Sequence, residues 1–171
     1  MNLLPIAVLL GLSFVTLPQD PDQAAHGERL LQTLQATGLH FEKSASGLSY
    51  KLIYDHERGR KQLVLVATTA NRPADLVVHT VYTTVWTGEA PPDEALLVKV
   101  FSTTKKLGSF YLFEDGKAWA IRFSASFDAT GLADGRLAAE VAAKRLKETI
   151  EFVNAVGEAM DAELNGERDI R

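Results

Sequence analysis

Residues 107–128 decide the fold, and they read LGSFYLFEDGKAWAIRFSASFD. Two strand-like runs, 109–113 and 118–127, flank the turn residues 114–117. Along the second run apolar and polar side chains alternate, which predicts a strand with one covered face and one face toward water. Because a short polar segment containing glycine joins the two runs, we predict an antiparallel β-hairpin.

The hairpin lies between two predicted helices. An apolar pattern with helical spacing begins after Pro91-Pro92 and ends at Leu107-Gly108. A second pattern starts at about Asp134 and continues past Met160; a continuous helix of ~27 residues would be ~40 Å long. That length exceeds what one small sheet requires. Two alternatives follow: the helix breaks near Gly157, or part of its apolar stripe serves a partner.

The N-terminal half carries the same two kinds of pattern. Residues 22–38 predict a helix, since acids and a proline open the segment and a glycine suits its end. Three runs rich in β-branched and aromatic residues, 48–54, 61–69 and 76–86, predict strands. The predicted order is α-β-β-β-α-β-β-α, an α+β fold in which helices pack on an antiparallel sheet of about five strands.

Length and composition set the broad class. At 171 residues the chain fits one domain, which we place at residues 20–164. The net charge of -4 argues against nucleic acid as a partner, because binding to phosphates needs concentrated lysine and arginine. The chain has no cysteine, which excludes disulfides, thiolate metal sites and a lipidated cysteine.

Residues 1–19 are predicted to be a signal peptide or an N-terminal anchor. Residues 3–17 read LLPIAVLLGLSFVTL, and the first charged side chain is that of Asp20. The run has the length of a signal-peptide core and is short for a bilayer span, and a buried core helix is the third alternative. We therefore expect an exported protein, periplasmic or secreted, with membrane contact only through an uncleaved N-terminal segment. Residues 165–171 are expected to form a disordered tail.

The sequence carries no recognisable reactive motif. Its histidines lack the spacing of a local metal site; they are His26, His40, His56 and His79. Asp55-His56-Glu57 is expected to be a solvated turn, and no catalytic pair is expected among Glu114, Asp115, Asp128 and Asp134. We predict no catalytic residue, no metal ion and no cofactor. His79 is a titratable group among the valines of a predicted strand, where we expect a hydrogen-bonded or half-exposed imidazole.

Aromatic residues supply a candidate partner surface. In the hairpin Tyr111 and Phe113 share one face, opposite their neighbours in sequence. By the same alternation Trp86 shares a face of its own strand with Tyr82. Exposed aromatic side chains beside an arginine suit a protein partner, and the predicted surface consists of Tyr111, Phe113, Arg122 and Trp86. The alternative is that these aromatics belong to an ordinary two-sided core.

Several short segments occur in the order typical of a known domain family. They are GLHFE at 38–42, YKL at 50–52, LVLV at 63–66, Pro91-Pro92, LGSFYL at 107–112, EDG at 114–116 and LAD at 132–134. In these segments, over residues 22–160, the chain resembles YbjN-like domains, which share the fold of type III secretion chaperones. The resemblance implies an antiparallel sheet with packed helices and a non-enzymatic, protein-associating role. Chaperones of this fold are homodimers that bind an extended partner segment in the cytosol, so the export-like leader argues against a dedicated secretion-chaperone role.

These observations favour one function and leave two alternatives. We expect a non-enzymatic protein-interaction or chaperone-like module of the cell envelope, which associates with a protein partner or with itself as a homodimer. The first alternative is a periplasmic protein that binds a small ligand or lipid in a cavity between the sheet and the last helix. A hydrolase with a site assembled from Asp, Ser and His on several strands ranks third.

Overall fold

The computed structural model describes residues 21–56, 59–73, 76–103, 107–114, 116, 118–132 and 134–165. Its strands are β1 (Glu42–Lys43), β2 (Ser49–Asp55), β3 (Lys61–Ala67), β4 (Val78–Gly88), β5 (Ser109–Glu114) and β6 (Trp119–Asp128). Its helices are α1 (Pro21–Ala36), α2 (Glu94–Phe101) and α3 (Ala139–Asn165). The predicted α+β class is confirmed, and the sheet has one strand more than expected because the two-residue β1 pairs with β2.

The six strands form one sheet in the order β1-β2-β3-β4-β6-β5. Each neighbouring pair is antiparallel. Because β4 and β5 both pair with β6, they run parallel to each other, and α2 lies in the connection between them. This is a split β-α-β arrangement. The predicted hairpin is therefore confirmed as β5 and β6, and it is joined to the rest of the sheet through β6.

One face of the sheet carries the hydrophobic core. Every second side chain of the long strands is buried there, and these are Tyr50, Leu52, Val64, Val66, Val81, Val85, Ile121, Phe123, Ala125 and Phe127. The helices contribute Leu30, Leu34, Val100, Ala142, Leu146, Ile150, Val153, Val156 and Met160 to the same cluster. Each large apolar side chain buried in this way stabilises the fold by ~1.5–3 kcal/mol. All three helices thus pack on one face of the sheet.

The helix α3 is continuous through Gly157 over 27 residues. Its apolar stripe is buried against the sheet from Ala142 to Met160, whereas Val141 near its start is 42% exposed. The predicted break near Gly157 is therefore not found, and the alternative in which part of the stripe serves a partner stays a prediction. The helix begins at Ala139 and not near Asp134, because the intervening residues form a turn. In that turn Leu137 N–H donates to Gly131 O, at 2.8 Å.

The helix α2 is shorter than predicted. Asp93 caps its first turn by accepting a hydrogen bond from Leu96 N–H at 2.8 Å, and Ser102 is the C-cap. Val100 is its buried residue, whereas Leu107, which was expected to continue the helical stripe, is exposed just before β5. Residues 104–106 lie outside the described residues.

Several predictions concern residues outside the described part of the chain. These are the signal peptide or anchor at 1–19, residues 166–171 of the expected tail, and the acids Glu57 and Asp115. Residue 165, the first of that predicted tail, is the last residue of α3. Among the described helices, none combines the length and the apolar character that a bilayer span needs.

Candidate functional site

The sheet face opposite the helices is not covered by any described residue of the chain. We call it the open face, and its large apolar and aromatic side chains, together with Arg122, are Ile53, Leu63, Leu65, Tyr82, Tyr111 and Phe113. They alternate along their strands with the buried side chains, and none of them belongs to the core cluster. An antiparallel sheet can expose one face to water, but that face is then usually polar. Here apolar side chains lie among polar ones such as Lys51, Asp55 and Lys61.

Two aliphatic side chains are the most exposed large apolar residues of the open face. Ile53 of β2 and Leu63 of β3 are directly opposite each other in the strand register. Their exposed fractions are 57% and 41%, although both are large branched side chains. Leu65 continues this apolar region toward Tyr82, its partner on β4. Neighbouring exposed side chains of this kind are typical of interaction surfaces in soluble proteins.

Arg122 lies at the centre of the other half of the open face. It is paired with Thr84 of β4 on one side and with Tyr111 of β5 on the other. Its Cζ atom is 4.0 Å from the centroid of the Phe113 ring and 5.3 Å from that of Tyr82. The guanidinium is thus held by cation–π contacts with aromatic side chains from both neighbouring strands.

The hydroxyl of Tyr82 is also affected by this arrangement. Burial raises the pKa of Tyr82 above the ordinary tyrosine value, the positive charge of Arg122 opposes the rise, and Tyr111 adds to it. The neutral phenol is therefore the form present at physiological pH. Tyr82 offers a ring face to Arg122 and a hydroxyl to any partner that covers the sheet.

Three of the four residues of the predicted partner surface come together. Tyr111, Phe113 and Arg122 all lie on the open face, half-buried among one another. Their neighbours in sequence, Phe110 and Leu112, point to the opposite face, and Phe110 packs against the core cluster. The alternation along β5 and β6 was therefore predicted correctly, while partner binding itself stays a prediction.

Trp86 does not belong to the open face, which corrects the prediction. The register between β4 and β6 shifts between Thr84 and Trp86, so Thr84 is opposite Arg122 and Trp86 is opposite the buried Ile121. This is a β-bulge, in which one extra residue turns the following side chains to the other face. Trp86 therefore packs against the core cluster.

Ile53, Leu63 and Tyr82 were not among the predicted surface residues. Their strands have apolar residues on both faces, so alternation alone does not tell which face the helices cover. The one signal in the sequence is the placement of Lys51 and Asp55 on either side of Ile53, two positions away each. Charged residues at this spacing favour the solvent face for Ile53 as well.

His79 is buried on the core side of β4, with an exposed fraction of 1%. Its Nδ1 lies 3.1 Å from Ala67 O, and since a carbonyl only accepts, Nδ1 carries the proton. Burial lowers the pKa of His79, the contact with Ala67 opposes this, and the nearby His26 adds to the lowering. This is the hydrogen-bonded strand histidine expected from the sequence.

His56 is half-buried at the end of β2, where a solvated turn was expected. Its Nε2 is 3.2 Å from Asn154 Oδ1 and 3.7 Å from Glu158 Oε2, both on α3. Arg60 also pairs with Glu158. These contacts tie the hairpin of β2 and β3 to the helix, and the cluster is explained by that structural role. In the described part of the chain, no group of three or more His, Asp or Glu side chains is arranged to hold a metal ion.

An open cleft of about 530 Å³ lies between β6 and α3. It exists because β5 pairs only with residues 119–124 of β6 and leaves the next four residues uncovered on that side. The apolar side chains of Phe127 and Phe152 line part of the cleft, and its polar groups come from Arg145, Glu148 and Thr149. Its size falls within the ~300–1,000 Å³ range of small-molecule sites.

Comparison of the chain with protein-family models, with curated proteins and with solved structures gave no match. The resemblance to YbjN-like domains therefore stays a prediction. Function has to be inferred from the geometry of the chain itself, and the open face and the cleft are its two candidate sites.

Proposed function

We propose that this protein is a non-enzymatic protein-association module that binds a partner through its open face, acting in the cell envelope after export. One observation carries the proposal: the described helices all lie on one side of the sheet, and its other face presents Ile53 and Leu63 beside the Arg122 stack. A homodimer is one form that such association takes. The resemblance to YbjN-like domains supports a chaperone-like role, and the N-terminal sequence supports export.

The composition of the open face supports binding of a protein. Aromatic residues and arginine are enriched at protein interfaces and dominate their binding energy. Tyr82, Tyr111 and Phe113 are already ordered by their contacts with neighbouring strands, so little side-chain freedom is lost when a partner covers them. The exposed aliphatic pair adds apolar area that association removes from water at ~25 cal/mol per Å².

A pair of variants tests the proposal. Ile53→Thr combined with Leu63→Thr removes the exposed aliphatic pair and keeps residues that favour strands. The matched control is Val98→Thr on α2, which removes a side chain of 60% exposure away from the open face. Each tagged protein is incubated with envelope extract of its own source, and the captured proteins are quantified by mass spectrometry. Light scattering across a concentration series measures self-association.

We expect the wild type and the control to capture the same partner, or to form the same dimer, and the double variant to lose it. Equal capture by all three proteins would contradict binding through the open face. A strictly monomeric wild type that captures nothing would contradict the proposed function altogether.

The cleft between β6 and α3 supports one alternative function, the binding of a small apolar ligand or lipid. A Thr149→Trp variant would fill the cleft, and Thr103→Trp, at a half-buried position outside the cleft, is a matched control. Under this alternative, native mass spectrometry of gently purified protein shows a bound mass in the wild type and the control and none in Thr149→Trp. If each of the three proteins showed only its own unliganded mass, the small-ligand alternative would be contradicted.

A further inference from the structure

Arg122 carries a positive charge between the rings of Phe113 and Tyr82. In the described part of the chain no carboxylate pairs with its guanidinium, and its Nε is buried without a hydrogen-bond partner. Three arginines differ from it in this respect: Arg60, Arg72 and Arg136 each form an ion pair with an acid. The rings of Phe113 and Tyr82 hold the guanidinium in place through cation–π contacts.

A buried donor without an acceptor destabilises a protein, and a charged donor does so more. A carboxylate from a partner would form charge-assisted hydrogen bonds with the planar guanidinium, because the guanidinium can donate to both oxygens of one carboxylate. The apolar surroundings strengthen such bonds once water is excluded. Arg122 is therefore preorganised for an acidic group that the described chain does not supply.

The strand register places this cation in line with the exposed aliphatic pair. Ile53 is opposite Leu63, and Arg122 is opposite Thr84. Leu63 and Thr84 each lie one residue beyond the paired residues Val64 and Thr83, so all four side chains form one row across the sheet. From β2 to β6 this row spans three strand spacings, about 14 Å.

We propose that the partner of the open face is a segment of another protein that presents an acidic side chain to Arg122 and apolar side chains to Leu63 and Ile53. This inference rests on the proposed function and adds the chemistry of the partner. A cation and an aliphatic pair on one row select for a carboxylate and apolar groups at a fixed separation.

Two other occupants fit this chemistry less well. A second copy would bring its own open face, whose described acids already have partners: Glu42 pairs with Lys51, Asp55 with Lys61, and Asp128 accepts from Thr130 N–H. A symmetric pair of faces whose axis passes near Arg122 would also bring two Arg122 side chains close together. The apolar N-terminal residues 1–19 contain no acidic side chain.

The test uses the full chain and synthetic 15-residue peptide libraries. One fixed position carries Glu, Gln or Lys, and the position four residues further on carries Leu or Ile, since four extended residues span ~13 Å. Peptides tiled from the chain's own sequence are included. Binding is measured by fluorescence polarisation for the wild type, Arg122→Met, Arg122→Lys and the control Arg136→Gln, an exposed arginine in the turn before α3.

We expect the Glu library to bind the wild type and Arg136→Gln at least about ten-fold more tightly than the Gln library, with Lys weakest. Arg122→Met should lose this preference, and Arg122→Lys should retain part of it, because lysine keeps the charge without the planar fork. Circular dichroism checks that each variant is folded.

Three outcomes would overturn the inference. In the first, Glu and Gln peptides bind equally well, and this binding is lost in the variant that combines Ile53→Thr with Leu63→Thr. That result would contradict the requirement for an acidic side chain and would leave the proposed function standing. Tight binding of peptides from the chain itself identifies a second copy or its own N-terminal segment as the occupant. In the third, no peptide binds, which would contradict the proposal that the partner is an acidic segment. The envelope capture experiment tests the proposed function separately.

Discussion

Gly157 of α3 lies against Thr83 of β4, and a Cβ atom at position 157 would come within 2.6 Å of Thr83 Cγ2. The side chain of Gln62, which donates to Thr83 Oγ1, is also within contact distance. Thr83 in turn donates to Leu63 O at 2.7 Å. A glycine in the middle of a long helix is thus explained by the close approach of the helix to a buried polar network in the sheet.

We therefore predict that Gly157→Ala destabilises the protein, against the usual gain from replacing a helical glycine. Overpacking of a tight contact costs ~1–3 kcal/mol, more than the ~1 kcal/mol gained in helix propensity. The matched variant is Gly27→Ala in α1, where an added Cβ has nothing within 4 Å. That change should stabilise by ~0.5–1 kcal/mol. Urea unfolding of both variants measures the difference, and equal effects at the two sites would contradict the packing argument.

Burial of His79 predicts a loss of stability in mild acid. Its pKa is lowered in the folded protein, so below the ordinary value of ~6.5 the unfolded chain binds a proton that the folded chain does not. Stability should therefore fall as the pH drops below that value, by at most about 1.4 kcal/mol per pH unit from this one group. His26 is the neighbouring titratable group that adds to the lowering.

The variant His79→Gln isolates this effect, because its amide can still donate to Ala67 O and does not titrate. We expect its unfolding free energy to depend less on pH between 5 and 7 than that of the wild type. His40→Gln, which removes an exposed histidine, is the matched control. Chemical unfolding at several pH values provides the measurement. If the unfolding free energy of His79→Gln depended on pH as strongly as that of the wild type, another titrating group would be responsible for the pH dependence.

The contact between Arg122 and Phe113 should be measurable as a coupling energy. At 4.0 Å from Cζ to the ring centroid, a half-buried cation–π pair contributes ~0.5–2 kcal/mol. A double-mutant cycle of Arg122→Met and Phe113→Leu isolates this term. The cycle of Arg122→Met and Tyr82→Leu should give a smaller value, since that distance is 5.3 Å. Zero coupling energy in both cycles would mean that the rings lie beside the guanidinium without stabilising it.

Much of the fold could be predicted from the sequence because its elements have clear periodicity and clear ends. The alternation from Trp119 to Phe127 correctly separates the buried side chains from Arg122. The start of α3 was predicted too early, at about Asp134, because the residues from Asp134 to Ala138 form a turn before the helix. Helical spacing of apolar residues also extended the prediction of α2 to Leu107, although the last described residue of that helix is Phe101.

The candidate site was harder to predict, for two physical reasons. A β-bulge adds a residue without any sequence signature here, so the spacing of Tyr82, Thr84 and Trp86 suggests one shared face that the structure does not have. The open character of the face depends on the helices all packing on the opposite side. That is a tertiary property, and strands with apolar residues on both faces leave it undecided.

The bulge predicts different roles for Trp86 and Tyr111, which the sequence places on one partner surface. Trp86 packs against the core, so Trp86→Leu should lower the free energy of unfolding by about 2 kcal/mol, below the ~3–5 kcal/mol of a fully buried aromatic. It should leave partner capture unchanged. Tyr111 lies on the open face, so Tyr111→Leu should change stability by less than about 1 kcal/mol and weaken capture.

Urea unfolding and the envelope capture assay, performed on both variants, separate the two effects. Phe110→Leu provides a control on the neighbouring residue of β5, because Phe110 faces the core and contacts Phe123, with ring centroids 4.9 Å apart. It should behave like Trp86→Leu. If Trp86→Leu reduced capture as much as Tyr111→Leu at equal folded fraction, Trp86 would belong to the partner surface after all, and the role assigned to the bulge would be wrong.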